Sequence, residues 1–442
     1  MLGGTRKLNG PLGAFALTLN GADSRCFGDP VVPAAPSVSS KEYATELVEI
    51  YWTSLLRDVP FTHYETNATA IAAAKELTQL KAYYSGPLEN GKVTPGLLFR
   101  GGFNDPTKTF FGENFGPYVS QFSLHPTNLG AQPIDQKIQS YAAGVDFMTD
   151  LPEWQRIQSG IEPPRDPIML DPQRRYLYNG RALGAYTRVD ELYQAYLVAY
   201  LAMATLKIPS NPTSPYKVLK NQQPFGTFGG PDIAATLGAV ARAAINAVWY
   251  QKWIVHLRHR PESGGGLVQV KLTPGLPATD AQVDSIVLDS AALHFSHLTY
   301  GSYLLSQAFP EGSPAHPAYP TGHGTVAGAC ITVLKFFFDG ETKFDKFPVL
   351  VPSADGLTLE PYTGADQGDM TVNGELHKLA HNISFGHGIH AGIHWRSDTD
   401  SSILLGEAVA LSFLRDQAFT SQEEVEVELT KLDGTTETIK NF

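Results

Sequence analysis

The apolar positions of this chain fall mostly at helical spacing, in segments parted by stretches rich in glycine and proline. Ser39 and Glu42 read as a capping box opening the first helix. Ala44, Leu47, Val48, Tyr51 and Leu55 then recur at i, i+3, i+4 and i+7, and Pro60 stops the run. An alanine-rich helix is predicted over 68–84, closing at Ser85-Gly86-Pro87, before a long loop from Gly86 to Pro117. Helical patterns return over 187–206 and from Asp232 to about His259, where Pro261 disfavours continuation. Gly264–Gly266 and Pro274/Pro277 read as a linker, with helices to follow near 279–307, 322–338, 372–390 and 400–416.

The period changes at the C-terminus. Val425, Val427 and Leu429 alternate with Glu, and Asp433-Gly434 is a two-residue turn before Thr435–Ile439, which predicts a β-hairpin over 423–440. Residues 1–38 are rich in Gly, Pro and Ala and read as an extended arm wrapping the body or a neighbouring subunit. The expectation is a mainly α fold, with 39–442 as one large helical domain carrying a short hairpin.

Composition narrows the partners. Of 442 residues 43% are hydrophobic and 17% charged, enough apolar material for a substantial core. Lys plus Arg number 33 against 44 for Asp plus Glu, a formal charge of −11 without clustered basic runs, so nucleic acid is excluded as a partner. Cys26 and Cys330 are the two cysteines, too few for a disulfide framework, and Cys330 reads as a packing residue. The longest uncharged helical stretch, between Glu191 and Lys207, is too short for a bilayer. The first residues make a poor signal peptide, so the chain is read as soluble, with no membrane partner and no compartment indicated.

Three distant segments hold groups suited to a tetrahedral oxyanion. In Lys252-Trp-Ile-Val-His-Leu-Arg-His-Arg260-Pro261, the two outer cations would sit about 80° and about 12 Å apart on a straight helix. A helix ending at Pro261 lets Arg260 turn inward; otherwise the segment is a solvated basic helix end. In His316-Pro-Ala-Tyr-Pro-Thr321-Gly322-His323-Gly324, a helix start presents free N–H groups, a hydroxyl and an imidazole. In the third segment His387, His390 and His394 lie on one face if helix persists, either as a zinc site or as core histidines, with Asp398 placed to orient His394. His256 either lines the pocket or is structural, and Asp355 and Asp398 either bind ions or cap turns.

Taken together, Lys252…Arg260-Pro261, Pro320-Thr321-Gly322-His323 and His394-x-x-x-Asp398 resemble the signature shared by vanadium-dependent haloperoxidases and type-2 phosphatidic acid phosphatases. Glu46–Trp52, Leu56–Phe61, Gly116–Phe122, Gly130–Pro133, Asp146–Asp150, Trp249–Lys252, Gly392–Arg396 and the hairpin tail resemble the bromoperoxidase branch. The resemblance implies two four-helix bundles and a homodimer or higher homo-oligomer. It implies vanadate bonded by His394 and hydrogen-bonded by Lys252, Arg260, Thr321, Gly322 and His323, with phosphate able to occupy the same site.

It further implies Lys252 and His323 as catalytic groups, with Trp249 and His316 lining the halide pocket. The implied reaction oxidises bromide or iodide with hydrogen peroxide to a hypohalous-acid-type species that halogenates small organic acceptors. Two positions depart from the pattern: Thr321 replaces a serine, and Gly388 stands where the second arginine is usual, which points to His387 or His390 as the substitute donor. The alternatives are an acid phosphatase of the same superfamily, or a non-catalytic relative that binds phosphate or vanadate.

Overall fold

The computed structural model describes residues 4–102, 111–163, 169–276, 280 and 282–442. Its helices are α1 (Lys41–Leu55), α2 (Ala68–Gln79), α3 (Leu151–Gln158), α4 (Gly180–Arg188), α5 (Gln194–Leu206) and α6 (Gly230–Tyr250). These are followed by α7 (Pro261–Leu272), α8 (Ser285–Leu288), α9 (Ala291–Tyr300), α10 (Gly322–Phe337), α11 (Val372–Phe385) and α12 (Arg396–Ala418). The strands form separate antiparallel pairs; the last, Glu426–Thr430 with Thr436–Lys440, is the C-terminal hairpin. The chain is thus mainly helical.

Capping chemistry shifts several predicted boundaries. Ser40, not Ser39, caps α1: its hydroxyl accepts from the Tyr43 N–H, which puts Tyr43 where a capping box would need a glutamate. The run stops at Leu55, before Pro60. Asn67 caps α2, which ends at Gln79 and continues as turns towards Tyr84. The 187–206 pattern is two helices, α4 and α5, parted at Val189–Tyr193. The expected 279–307 helix shortens to α8 and α9, while Pro277, residue 279 and residue 281 lie outside the described residues.

The predicted linker Gly264–Gly266 is the largest correction, because it lies inside α7. Pro261 opens that helix at its first turn, where a missing N–H costs nothing. The three glycines are there for close packing. A Cβ on Gly264 would lie 2.7 Å from the Tyr43 hydroxyl, on Gly265 2.6 Å from the Leu305 nitrogen, and on Gly266 2.2 Å from the Trp154 ring.

Of the four apolar clusters among the described residues, two are large. One gathers α5, α6, α10, α11, α12 and the hairpin, and includes Cys330. The other gathers α1, α2, α7, α8 and α9 with Phe385, Ile389 and Trp395. The run Gly230–Leu272 is apolar and long enough to cross a membrane, unlike the 191–207 stretch, but half of its most apolar window is buried inside the body.

The α10–α12 seam is closed by glycine on both sides. A Cβ on Gly328 would come within 2.0 Å of the Ile403 carbonyl oxygen, and one on Gly406 within 2.1 Å of the Thr325 carbonyl oxygen. Backbone cannot yield as a side chain does. Gly328→Ala and Gly406→Ala are each expected to cost about 1–3 kcal/mol in a denaturant titration. Gly226→Ala, at a position with nothing near its Cβ, leaves the midpoint in place.

The N-terminal segment lies along this body. Arg6 donates to the carbonyls of Glu311 and Ser313, the Trp249 indole donates to Gly10 O at 3.1 Å, and the Tyr319 hydroxyl donates to Pro33 O at 2.6 Å.

Buried charge also ties the fold together. Arg396 grips Glu49, and His381 sits between Glu113 (2.5 Å) and Asp400 (3.8 Å) with His377 on the same helix. Burial pulls the His381 pKa down, but the two carboxylates outweigh it and raise the value to about 9. The folded value exceeds the unfolded one, so this stabilisation is complete below about pH 6.5 and is lost as pH rises through about 9. The melting-temperature difference between wild type and His381→Gln is therefore expected to shrink across that window, as read by calorimetry at stepped pH.

Candidate active site

The three candidate segments meet where the two cores adjoin, and local geometry explains how each arrives. α6 runs into a wide π-type turn, Gln251–His256, and the chain then reverses at Leu257 in the left-handed region (φ 50°). The reversal sends Arg258 and Arg260 inward, one turn before α7 begins. The inward turn of Arg260 thus starts at Leu257, upstream of Pro261. α11 likewise ends in a π-type turn, Gly386–His390, and Gly392 (φ 84°) redirects the chain into Ile393, His394 and α12. The third element is the N-terminus of α10, with Thr321 as its cap residue.

His394 is fully buried. Its Nδ1 meets Asp398 Oδ2 at 2.8 Å, which fixes the proton on Nδ1 and leaves Nε2 as a lone pair. Arg260 Nη1 donates to that lone pair at 2.7 Å. Arg260 also meets the His316 carbonyl and His316 Nδ1, while His316 packs on the Trp249 indole with ring centroids 4.8 Å apart. Lys252 is wholly buried and donates to the carbonyls of Pro317 (2.8 Å) and Ala318 (2.7 Å). His323 stacks on His387 at 3.8 Å, and His387 lies 5.7 Å from His394.

Burial depresses the pKa of almost every basic group here. Lys252 is held well below the usual lysine range by burial and then by Arg260, and Arg260 falls to about 10, mainly through burial. His316, His387 and His394 are pushed down by burial and then by neighbouring basic groups. Among the described residues, Thr321 Oγ1 and His387 Nδ1 are buried with no hydrogen-bond partner. Buried donors crowded together with orphaned polar atoms are what an oxyanion site requires: an anion would supply both the counter-charge and the acceptors. The residues present therefore fit vanadate or phosphate.

His390 does not join this group. It turns to the opposite side, where its Nε2 lies 3.1 Å from the Tyr118 hydroxyl and its ring packs on Phe61 and Phe99. The three histidines thus share no face. His256 packs edge-on against Tyr319. Asp355 closes an exposed turn through Ser353 and Leu357, and Asp398 caps α12 through the Trp395 N–H.

Two groups escaped sequence reasoning. Asp190 accepts from His323 Nε2 at 3.0 Å, from the break between α4 and α5 where the sequence pattern suggested unbroken helix. Arg258 bridges Asp398 (2.6 Å) and Glu46 on α1 (3.0 Å); it lies inside the Lys252–Arg260 segment, and an inward turn for Arg260 allows one for Arg258 as well.

The second helical-bundle domain of the VCPO family matches residues 291–420. A vanadium-dependent bromoperoxidase of Ascophyllum nodosum is 33% identical over 99% of this chain and 78% of its own length. The chain belongs to the vanadium-dependent bromoperoxidase family. The Corallina officinalis member is 32% identical over 95% of this chain and 77% of its own. In structure, the homohexameric second vanadate-dependent bromoperoxidase of A. nodosum superposes with a TM-score of 0.87 at 28% identity, over 98% of this chain and 76% of that one. Family membership does not favour the phosphatase alternative.

Asp398→Ala is expected to cost about 3–5 kcal/mol, since Arg258 and the His394 N–H lose a buried acceptor. Asp355→Ala, at a solvent-exposed turn, costs less than about 0.5 kcal/mol. Urea unfolding of the two variants checks the contrast.

Proposed function

We propose that this protein is a vanadate-dependent haloperoxidase that oxidises bromide or iodide with hydrogen peroxide to a hypohalous-acid-type species. The observation that carries the reading is the unprotonated Nε2 of His394, met by Arg260 Nη1 at 2.7 Å inside a buried ring of donors. His394 Nε2 would hold vanadate, and Lys252, Arg260, the Thr321 hydroxyl and the Gly322 N–H would hold its oxygens. Bound vanadate(V) supplies a Lewis acid that activates peroxide without a change of oxidation state.

The side chains divide the remaining work. Lys252 and Arg260, both in low-dielectric surroundings, would draw negative charge from the oxygens of a bound vanadate. Asp190 fixes the His323 ring through Nε2, so that His323 exchanges protons on the pocket side. Trp249 and His316 form an apolar and weakly basic wall for the halide. A cavity of about 400 Å³, bordered by Arg6, Lys7, Arg188, Glu311 and His387, is the route by which peroxide, halide and small organic acceptors would arrive. Phosphate matches vanadate in shape and charge and would compete for the same donors. We also infer a homo-oligomer, supported by the homohexameric assembly of the A. nodosum structural relative.

His387 takes the place of the family's second arginine. It offers one nitrogen where a guanidinium offers a planar fork, and burial keeps it largely neutral. Orthovanadate added to vanadate-free protein is expected to switch on peroxide-dependent bromination of a phenolic dye, and excess phosphate to suppress it. Phosphate-ester hydrolysis without bromination would overturn the reading. His387→Arg is expected to tighten vanadate binding by about tenfold or more, through one charge-assisted hydrogen bond. Lys252→Met abolishes activation. Titration calorimetry with orthovanadate measures the His387→Arg effect apart from turnover, and the dye assay measures the Lys252→Met effect.

A further inference from the structure

The opening segment carries its apolar side chains the wrong way round. Over residues 12–20 the small and polar Gly13, Ala14, Ala16, Thr18 and Asn20 are buried or half-buried, while the large apolar Leu12, Phe15, Leu17 and Leu19 are exposed. Ala14 keeps 1% of its surface and Leu12 82%. A lone exposed leucine is ordinary, but four large apolar side chains on the outer face of one segment reverse the pattern that burial selects. The segment is nonetheless held in place at both ends. The short turn Pro11–Phe15 lies against the end of α6, where Trp249 Nε1 donates to Gly10 O at 3.1 Å and the rings of Phe15 and Tyr250 meet edge-on at 6.4 Å. Further along, the Gly21 N–H donates to Asp416 Oδ2 at 2.7 Å and the Ala22 N–H to Ser412 Oγ at 2.8 Å, both on α12.

The outward apolar surface continues onto the π-type turn Gln251–His256, which lies beside Pro11–Phe15 and is followed by Leu257. There Ile254, Val255 and Leu257 are exposed. Charge is missing from both pieces. Residues 8–22 contain no charged side chain in a chain that is 17% charged, and residues 249–257 contain no carboxylate and one lysine, Lys252, which is buried. Together the two pieces span roughly two dozen residues, the number that a standard interface of about 800 Å² per partner draws from each side. Contiguous apolar surface on this scale marks a contact site.

The chemistry of the face selects its partner. An uncharged apolar surface is complementary to itself, and it lets two copies, each with a formal charge of −11, meet without opposing like charges. The same acidity disfavours an anionic membrane. We propose that a second copy of this chain docks on this face, arm against arm across a two-fold axis. This rests on the homo-oligomer inferred above and gives it a surface. The same arm sets Arg6, Lys7 and Asn9 on the border of the cavity beside His387, so the contact braces that wall from outside.

The test is the mass of the full-length protein, by light scattering after gel filtration at micromolar concentration. Wild type is expected to be an oligomer, and Leu17→Asp combined with Leu19→Asp to halve its mass or more, because losing a two-fold contact divides a closed assembly. Both leucines are exposed, so the variant is expected to keep its helical circular dichroism. Leu12→Asp, elsewhere on the face, raises the concentration needed for assembly by about tenfold or more. Leu298→Asp, at an exposed position on α9, leaves the mass unchanged. A monomeric wild type would overturn the docking face and the homo-oligomer together. An oligomer whose mass survives both the double variant and Leu12→Asp would overturn the docking face alone, as would Leu298→Asp dividing the assembly equally. Flotation of monomeric wild type with neutral phosphatidylcholine vesicles, lost in the double variant, would give the face to lipid instead.

Discussion

One buried carboxylate holds the site's three segments in register. Asp398 accepts from His394 Nδ1, from the Trp395 N–H and from Arg258 Nη1, and its backbone carbonyl accepts from the Thr321 N–H. Through Arg258 it is tied to Glu46 on α1, and hence to the other core. A single side chain thus decides which imidazole nitrogen keeps its lone pair, where α12 begins, and how the α10 N-terminus stands against it. An isolated buried charge would be prohibitive; this one is tolerated because both its oxygens accept hydrogen bonds and Arg258 supplies the counter-charge.

Around that anchor the protein concentrates basic groups where bulk solvent cannot reach them. Lys252 leans on two carbonyls and Arg260 on two carbonyls and two imidazoles, so each has partners without having a counter-charge of its own. Gathering these basic groups away from water is costly, and an anion bound among them would offset that cost. Two π-type turns and one left-handed residue, Leu257, break regular helix at the points where a donor must leave the helix surface. Glycine closes the α10–α12 seam and α7 elsewhere, holding the segments too close together to drift.

Much of this was legible in the sequence. Helical spacing gave the helices, alternation gave the hairpin, and the anion-binding residue types in three separated segments resembled one family. What the sequence concealed follows from context. A Gly-Gly-Gly run reads locally as linker, yet inside α7 it meets Tyr43, Leu305 and Trp154, contacts from distant parts of the chain. Proline reads as a stop, yet Pro261 is a start. His390 has the spacing of a ligand, but the widened turn at Gly386–His390 rotates it away towards Tyr118. Asp190 carries no local signal, because its partnership with His323 exists only once α4 and α5 separate.

The indole of Trp249 donates to the carbonyl of Gly10, a residue 239 positions away, and Arg6, Lys7 and Asn9 border the cavity that leads to His387. The opening segment, without an α-helix of its own, therefore walls the cavity beside His387 rather than merely packing around the body. A shortened version of this protein trimmed to begin at α1 would keep all twelve α-helices and still lack one wall of that cavity.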